Sequence, residues 1–174
     1  MALSISSRSR LSRAAVAAFF AAGLALSASP ASAAKTKVLD LDFEGTFELD
    51  LPTLELSFDG EGQNPHLGLS SLEGESSFAP ISPLCLQIVE DGVTITAADG
   101  STIELDNSGV ECLDFSTGAP RIVGGGVSAV LGGTGRFAGI GGEGTYHVDA
   151  AIETNDGITA GGTVVLHFTL TTRK

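Results

Sequence analysis

The side chains that could do chemistry in this sequence are few and far apart. His66, His147 and His167 are its only histidines. No two of them stand at a ligand spacing such as His-x-His, so no zinc site is expected. A hydrolase needs a nucleophile, a base and an orienter, and no Gly-x-Ser-x-Gly turn is present to supply the first. Acids abound, 21 in all, yet none form the Asp-rich loop of an EF-hand. The expectation is therefore no metal and no cofactor. The run Gly132 to Gly144 has seven glycines in thirteen residues and could cradle an anion. A phosphate loop, however, needs a helix after it and a Gly-Lys-Ser/Thr ending; here a strand pattern follows, and the ending is missing.

Three residues remain as weak candidates for contact with a ligand. His66 follows Pro65 at the mouth of a predicted strand, where capping a turn is its plainer role. Arg136 is the one cation inside the glycine run, and bonding to local carbonyls or to a nearby acid would account for it. Tyr146 is the only tyrosine. It and His147 fall on opposite faces of a strand, so only one of the two can line an interior.

The elements that must position these residues read as strands. From Lys37, the residues Leu39, Leu41, Phe43, Phe47, Leu49 and Leu51 share one face, and Asp40, Asp42, Glu44, Thr46, Glu48 and Asp50 share the other. A period of two over this length is a half-buried strand whose acids meet water. Gly45 takes an inward place, which predicts a bend or bulge. Leu54, Leu56 and Phe58 resume the inward face. Gly60 to Pro65 reads as a loop, followed by strand to Phe78 and an irregular crossing at Pro80 and Pro83. Leu86–Val89 and Val93–Ala97 read as short strands around Asp91-Gly92. Asp99-Gly100 is a hairpin signal, and Asn107-Ser108-Gly109 reads as a turn. Arg121 to Leu131 is apolar and carries three consecutive glycines. After the glycine run, Thr145 to Ile152 and Ile158 to Thr171 flank a turn at Asn155-Asp156-Gly157. No helical period and no fixed repeat is present. Eight or nine strands on short turns predict an all-β fold, a closed antiparallel barrel of about eight strands. Closure removes the exposed edges of a long first strand. The glycine run, Gly132, Gly133, Thr134, Gly135, Phe137, Gly139, Gly141 and Gly144, is then the structural corner that lets the sheet close.

Residues 1–33 read as a secretory signal peptide and 34–174 as a single barrel domain. Arg8, Arg10 and Arg13 precede the apolar run Ala14–Leu26, and Pro30 precedes Ala31-Ser32-Ala33, a cleavage pattern. The apolar run is too short to span a bilayer, so no stable membrane insertion is expected after cleavage. Three of the nine Lys and Arg lie in that segment, which leaves six against 21 acids, a net charge of −15 on residues 34–174. Such a surface repels nucleic acid and anionic headgroups and attracts cations. The two cysteines, Cys85 and Cys112, are both in the exported part, and an even count in an oxidising compartment predicts one disulfide.

The run Gly132-Gly133-Thr134-Gly135-Arg136-Phe137-Ala138-Gly139, continuing to Gly141 and Gly144, resembles the glycine motif of the allene oxide cyclase and dirigent barrels. It looks closest to small exported bacterial proteins of that kind. His66-Leu67-Gly68 and Ala98-Asp99-Gly100 match two further elements in the same order, so the likeness spans Phe43 to Thr154. It implies an eight-stranded antiparallel barrel with an apolar interior. In the plant relatives that interior holds a lipid epoxide as it cyclises or orients phenolic radicals as they couple. The catalytic residues of those proteins lie outside the shared motif, and none is carried over. The expected function is thus non-catalytic binding of a small apolar ligand or a surface partner by an exported, acidic barrel. The alternative is a cyclase, isomerase or dirigent-like steering protein. An interior packed with Leu, Val and Phe is a core, whereas catalysis needs a pocket with a buried ionisable group.

Overall fold

The computed structural model describes residues 35–173, so the expected signal segment lies outside the described residues. Eight strands follow one another: β1 (Thr36–Asp50), β2 (Glu55–Asn64), β3 (Gly68–Pro80), β4 (Cys85–Thr96), β5 (Thr102–Asp114), β6 (Arg121–Gly133), β7 (Gly141–Asn155) and β8 (Thr159–Arg173). Each pairs antiparallel with the next, and β1 pairs with β8 to close a barrel. The all-β closed antiparallel barrel of eight strands is therefore the fold observed. Closure itself is the work of the β1–β8 ladder, Thr36↔Arg173 to Asp50↔Thr159. The glycine run does not close the barrel; it forms the β6–β7 crossing.

The alternation of β1 sorts its side chains as the sequence requires. Leu39, Leu41, Phe43, Phe47 and Leu49 are buried, while Asp40, Asp42, Glu44 and Glu48 are exposed. Burying each such Leu or Phe contributes about 1.5–3 kcal/mol. Phe43 meets Phe168 of β8 edge-on, with ring centroids 6.3 Å apart. No bulge forms at Gly45, contrary to the sequence reading, since both neighbouring ladders run through it unbroken. The glycine supplies space instead: a β-carbon there would lie 1.8 Å from the Asp59 carbonyl oxygen.

Three turn readings give way to strand. Gly60 to Asn64 belongs to β2, because the Asn64 side chain replaces a rung of the β1–β2 ladder. Its Oδ1 accepts from the Asp42 N–H at 2.7 Å, and its Nδ2 donates to the Asp42 carbonyl at 3.1 Å and to Ser70 Oγ at 3.0 Å. Asn107-Ser108-Gly109 lies inside β5, where the inward Asn107 accepts from Ser128 Oγ at 2.5 Å. The two short strands around Asp91-Gly92 are one, β4, interrupted by a bulge.

One end of the barrel is plugged. The Leu67 carbonyl of the β2–β3 turn accepts from the Ala98 N–H of the β4–β5 turn at 3.0 Å. A single 3₁₀ turn in the β6–β7 crossing, Gly135–Phe137, inserts Phe137, which is buried with Leu67, Ala97 and Ile140. Gly135 has φ +56, and a β-carbon on it would sit 2.3 Å from Ser101 Oγ. Gly135→Val is expected to cost ~1–2 kcal/mol from backbone strain alone, a fall of roughly 2–8 °C in Tm. Gly132 faces open space with no positive φ, so Gly132→Val should melt like the parent. Thermal melts of both variants check this; a Gly135→Val chain that melts like the parent would mean the corner is not structural.

Candidate functional site

The wall of the barrel has one break. Between β4 and β5 the pairing runs Cys85↔Cys112, Leu86↔Glu111, Gln87↔Val110, then resumes only at Val93↔Leu105. On the other side of β4, Ser77 pairs with Glu90 and Phe78 with Ile88, so Val89 is the extra residue of a bulge. A bulge re-aims the side chains after it. Here Val89 and Glu90 both face out, and Asp91 turns inward across the gap.

Asp91 occupies the place of the missing rungs. Its Oδ2 accepts from the Asn107 N–H of β5 at 2.9 Å, and its Oδ1 accepts from Ser76 Oγ of β3 at 2.5 Å. With Ser128 of β6 donating to Asn107, a polar chain crosses four strands inside the barrel. Glu111 and Tyr146 stand beside it, 8% and 6% exposed. Both need room that only glycine leaves. A β-carbon on Gly109 would come 2.4 Å from Tyr146 Oη, and one on Gly124 would come 2.7 Å from Glu111 Cγ.

Ser76, Asp91, Asn107, Glu111 and Tyr146 line a cavity of about 30 Å³, walled otherwise by Leu56, Phe58, Ile88, Val148, Val164, Leu166 and Phe168. That is room for a group the size of one water. Leu56, Phe58, Ser76 and Asp91 line both this cavity and a broad depression on the outside of β1–β4. Leu56 and Phe58 are only partly buried, and the β1–β2 and β2–β3 ladders run through them unbroken.

Burial sets the electrostatics. It pushes the Glu111 carboxyl up to about 7, and the charge of Asp91 adds to the effect. No hydrogen bond offsets this shift. Asp91 is also raised by burial, with the Ser76 and Asn107 hydrogen bonds pulling the other way and Asp106 adding repulsion. The Tyr146 phenol is raised by burial, then by Glu111 and Asp91, so it stays protonated at physiological pH. Among the described residues, its oxygen is the one buried side-chain polar atom without a hydrogen-bond partner. The cluster can therefore bind a hydrogen-bond donor or a cation, and Glu111 can exchange a proton near neutrality.

Of the three residues singled out from sequence, only Tyr146 reaches this cavity. His66 sits exposed in the β2–β3 turn at φ +70. Arg136 lies at the plugged end, 3.3 Å from Asp99 and with its guanidinium 4.9 Å from the Phe137 ring centroid. Thr134 fastens the same crossing by its side chain to Thr102. Tyr146 faces in and His147 out, as alternation requires. Although far apart in sequence, His147 and His167 are direct cross-strand partners on the outer face, and His167 Nδ1 lies 2.6 Å from Asp42. Among the described residues, no group of three or more His, Cys, Asp or Glu is arranged to hold a metal ion. Cys85 and Cys112 form the expected disulfide.

The interior is not wholly apolar, which corrects the expectation drawn from the family likeness. Ser76, Asp91, Asn107, Glu111 and Ser128 were missed from sequence. One signal was present: Ile103, Leu105, Asn107 and Glu111 share a parity, so two polar residues continue an inward apolar face.

The sequence matches no family model and no curated protein. Among solved structures the chain is similar to that of a pterocarpan synthase dirigent protein, with a TM-score of 0.47 and 16% identity over 80% of this chain and 88% of that one.

Proposed function

We propose that this chain is an exported barrel that binds a small, largely apolar molecule at the interior cavity where Leu56 and Phe58 meet Asp91, Glu111 and Tyr146. The observation that carries the reading is the placing of Asp91, Glu111 and Tyr146 around one cavity inside an otherwise hydrophobic core. Buried polar groups without partners cost about 1–3 kcal/mol each, and such costs concentrate where a ligand is met. Export is supported by the disulfide and by the leader-like residues 1–33. Charged side chains face outward and apolar ones inward along the strands, the reverse of a membrane barrel, which supports a water-exposed molecule.

Mass spectrometry of small molecules that copurify with the native protein tests the binding. Phe58→Trp should fill the cavity and abolish copurification, with its fold checked by melting. Retained binding in that folded variant would exclude this cavity as the site. Intact mass tests export: protein recovered outside the cytoplasm should lack residues 1–33.

A second reading, steering of a cyclisation or isomerisation in the same cavity, is favoured by Glu111, whose carboxyl lies near 7 beside the Tyr146 phenol. It expects a turnover that Glu111→Gln stops. Ligand released chemically unchanged fits simple binding alone.

A further inference from the structure

We infer that the ligand presents a primary ammonium head to Asp91 and Glu111, with Tyr146 Oη as a third acceptor and its apolar body lying against Leu56 and Phe58. The inference rests on the binding reading above and names the chemical class of the ligand. Two carboxyl groups face one cavity of about 30 Å³, and no Lys, Arg or His lines it. Glu111 and Tyr146 are each more than nine-tenths buried, and the Tyr146 oxygen has no partner among the described residues. A cavity with acceptors and no cation is complementary to a donor-only, positively charged group, and an ammonium is about the size of the water such a space admits.

The outer face of the same strands carries charge of the same sign. Eight Asp and Glu line the outer depression, among them Glu55, Asp59, Glu73 and Glu75, again without a Lys, Arg or His. Acid-lined clefts concentrate cations and speed their capture. A bare metal ion suits the cavity less well. Among the described residues no group of three or more His, Cys, Asp or Glu is arranged to hold one, whereas each Asp91 oxygen, already accepting from Ser76 or Asn107, keeps a second lone pair for an N–H donor.

Proton balance gives the inference a signature. The charged and titratable groups around Glu111 are Asp91 on β4, Asp106 on β5 and Tyr146 on β7. The β2, β3, β6 and β8 residues against the cavity are Leu56, Phe58, Ser76, Gly124, Leu166 and Phe168, none of which titrates. At pH 7 Glu111 is about half protonated, so an arriving ammonium, itself already charged, favours the carboxylate and drives off about half a proton per ligand.

Isothermal titration of the folded chain with hexylamine and with hexan-1-ol at pH 7, in phosphate and in Tris, tests this. Hexylamine should bind more than roughly tenfold tighter than the alcohol, as expected for a buried charge pair, and its heat should differ between buffers by the released proton. Glu111→Gln should remove the buffer dependence and narrow the preference for the amine, and its fold is checked by melting. Equal or tighter binding of the alcohol overturns the ammonium head and leaves the binding reading standing. Binding of neither, with no copurifying molecule, overturns both.

Discussion

Replacing both cysteines by alanine, or reducing the disulfide, is expected to lower the melting temperature by roughly 6–16 °C. Cys85 and Cys112 are 27 positions apart. Opening a loop of that length returns about 3–4 kcal/mol of chain entropy to the unfolded state, and each kcal/mol moves a domain of this size by roughly 2–4 °C. The setting of the pair raises its importance. The two cysteines are direct partners at the start of a ladder only three pairs long, beyond which β4 and β5 part. The disulfide is thus the covalent tie of a short, isolated stretch of wall. Glu111 adjoins Cys112 in that stretch, so reduction should also loosen the cavity and weaken ligand binding. Melts with and without reductant, with thiols counted in denaturant, check both effects. Coincident melts of oxidised and reduced protein would show that the remaining rungs hold the wall unaided.

The chain should also melt higher at pH 5 than at pH 8, by roughly 6–12 °C, with Glu111 as the main cause. In the fold its carboxyl lies near 7, against 4.5 for the free group. The folded state therefore binds more protons than the unfolded state between those values. Stability is complete below 4.5 and is lost as pH rises through 7. The difference amounts to about 3 kcal/mol, and Asp91, raised in the same direction, adds to it. At the acid side the sign reverses. Asp99, Asp114 and Asp156 are held low chiefly by the backbone N–H groups of Ser101, Ser116 and Thr159, and their protonation removes those bonds. The optimum is therefore mildly acidic. Glu111→Gln should flatten the slope and stabilise the protein at pH 8. Equal melts of the parent at pH 5 and pH 8 would show that the carboxyl ionises freely in the folded chain.

Much of the architecture was legible in the sequence because alternation is a local property. The inward row Leu39 to Leu49 and the turns at Asp99-Gly100 and Asn155-Asp156-Gly157 all follow from short-range rules. The misreadings share one physical origin. Gly60, Asn107, Gly109 and Gly92 are turn formers by propensity, yet here they sit in strands. A barrel interior has places too narrow for a side chain, or where a side-chain amide can substitute for a ladder bond. Such places are set by neighbours tens of residues away, as Asn64 with Asp42 and Gly109 with Tyr146 show. The site was hidden for the same reason. Asp91 passes for a turn residue until the bulge at Val89 shows which way it points, and Glu111 passes for a surface acid until its parity with Leu105 is counted. His66 and Arg136 stood out by motif, and motif here marks the plugged end of the barrel.

The β1–β8 seam governs how the molecule comes into being. Seven of the eight ladders join strands adjacent in the sequence, and hairpins of that kind zip in microseconds. The eighth unites residues more than a hundred positions apart, so it must wait until β8 is free to reach β1. Until then the chain is an open, unclosed ribbon whose first strand presents a bare edge and an apolar face. A long-range pairing that carries the closure is expected to form late and to slow barrel formation. A chain emerging from its N-terminus would stay open until the fifteen residues of β8 appeared. The same seam that makes the finished barrel edgeless keeps the nascent one unfinished for longest.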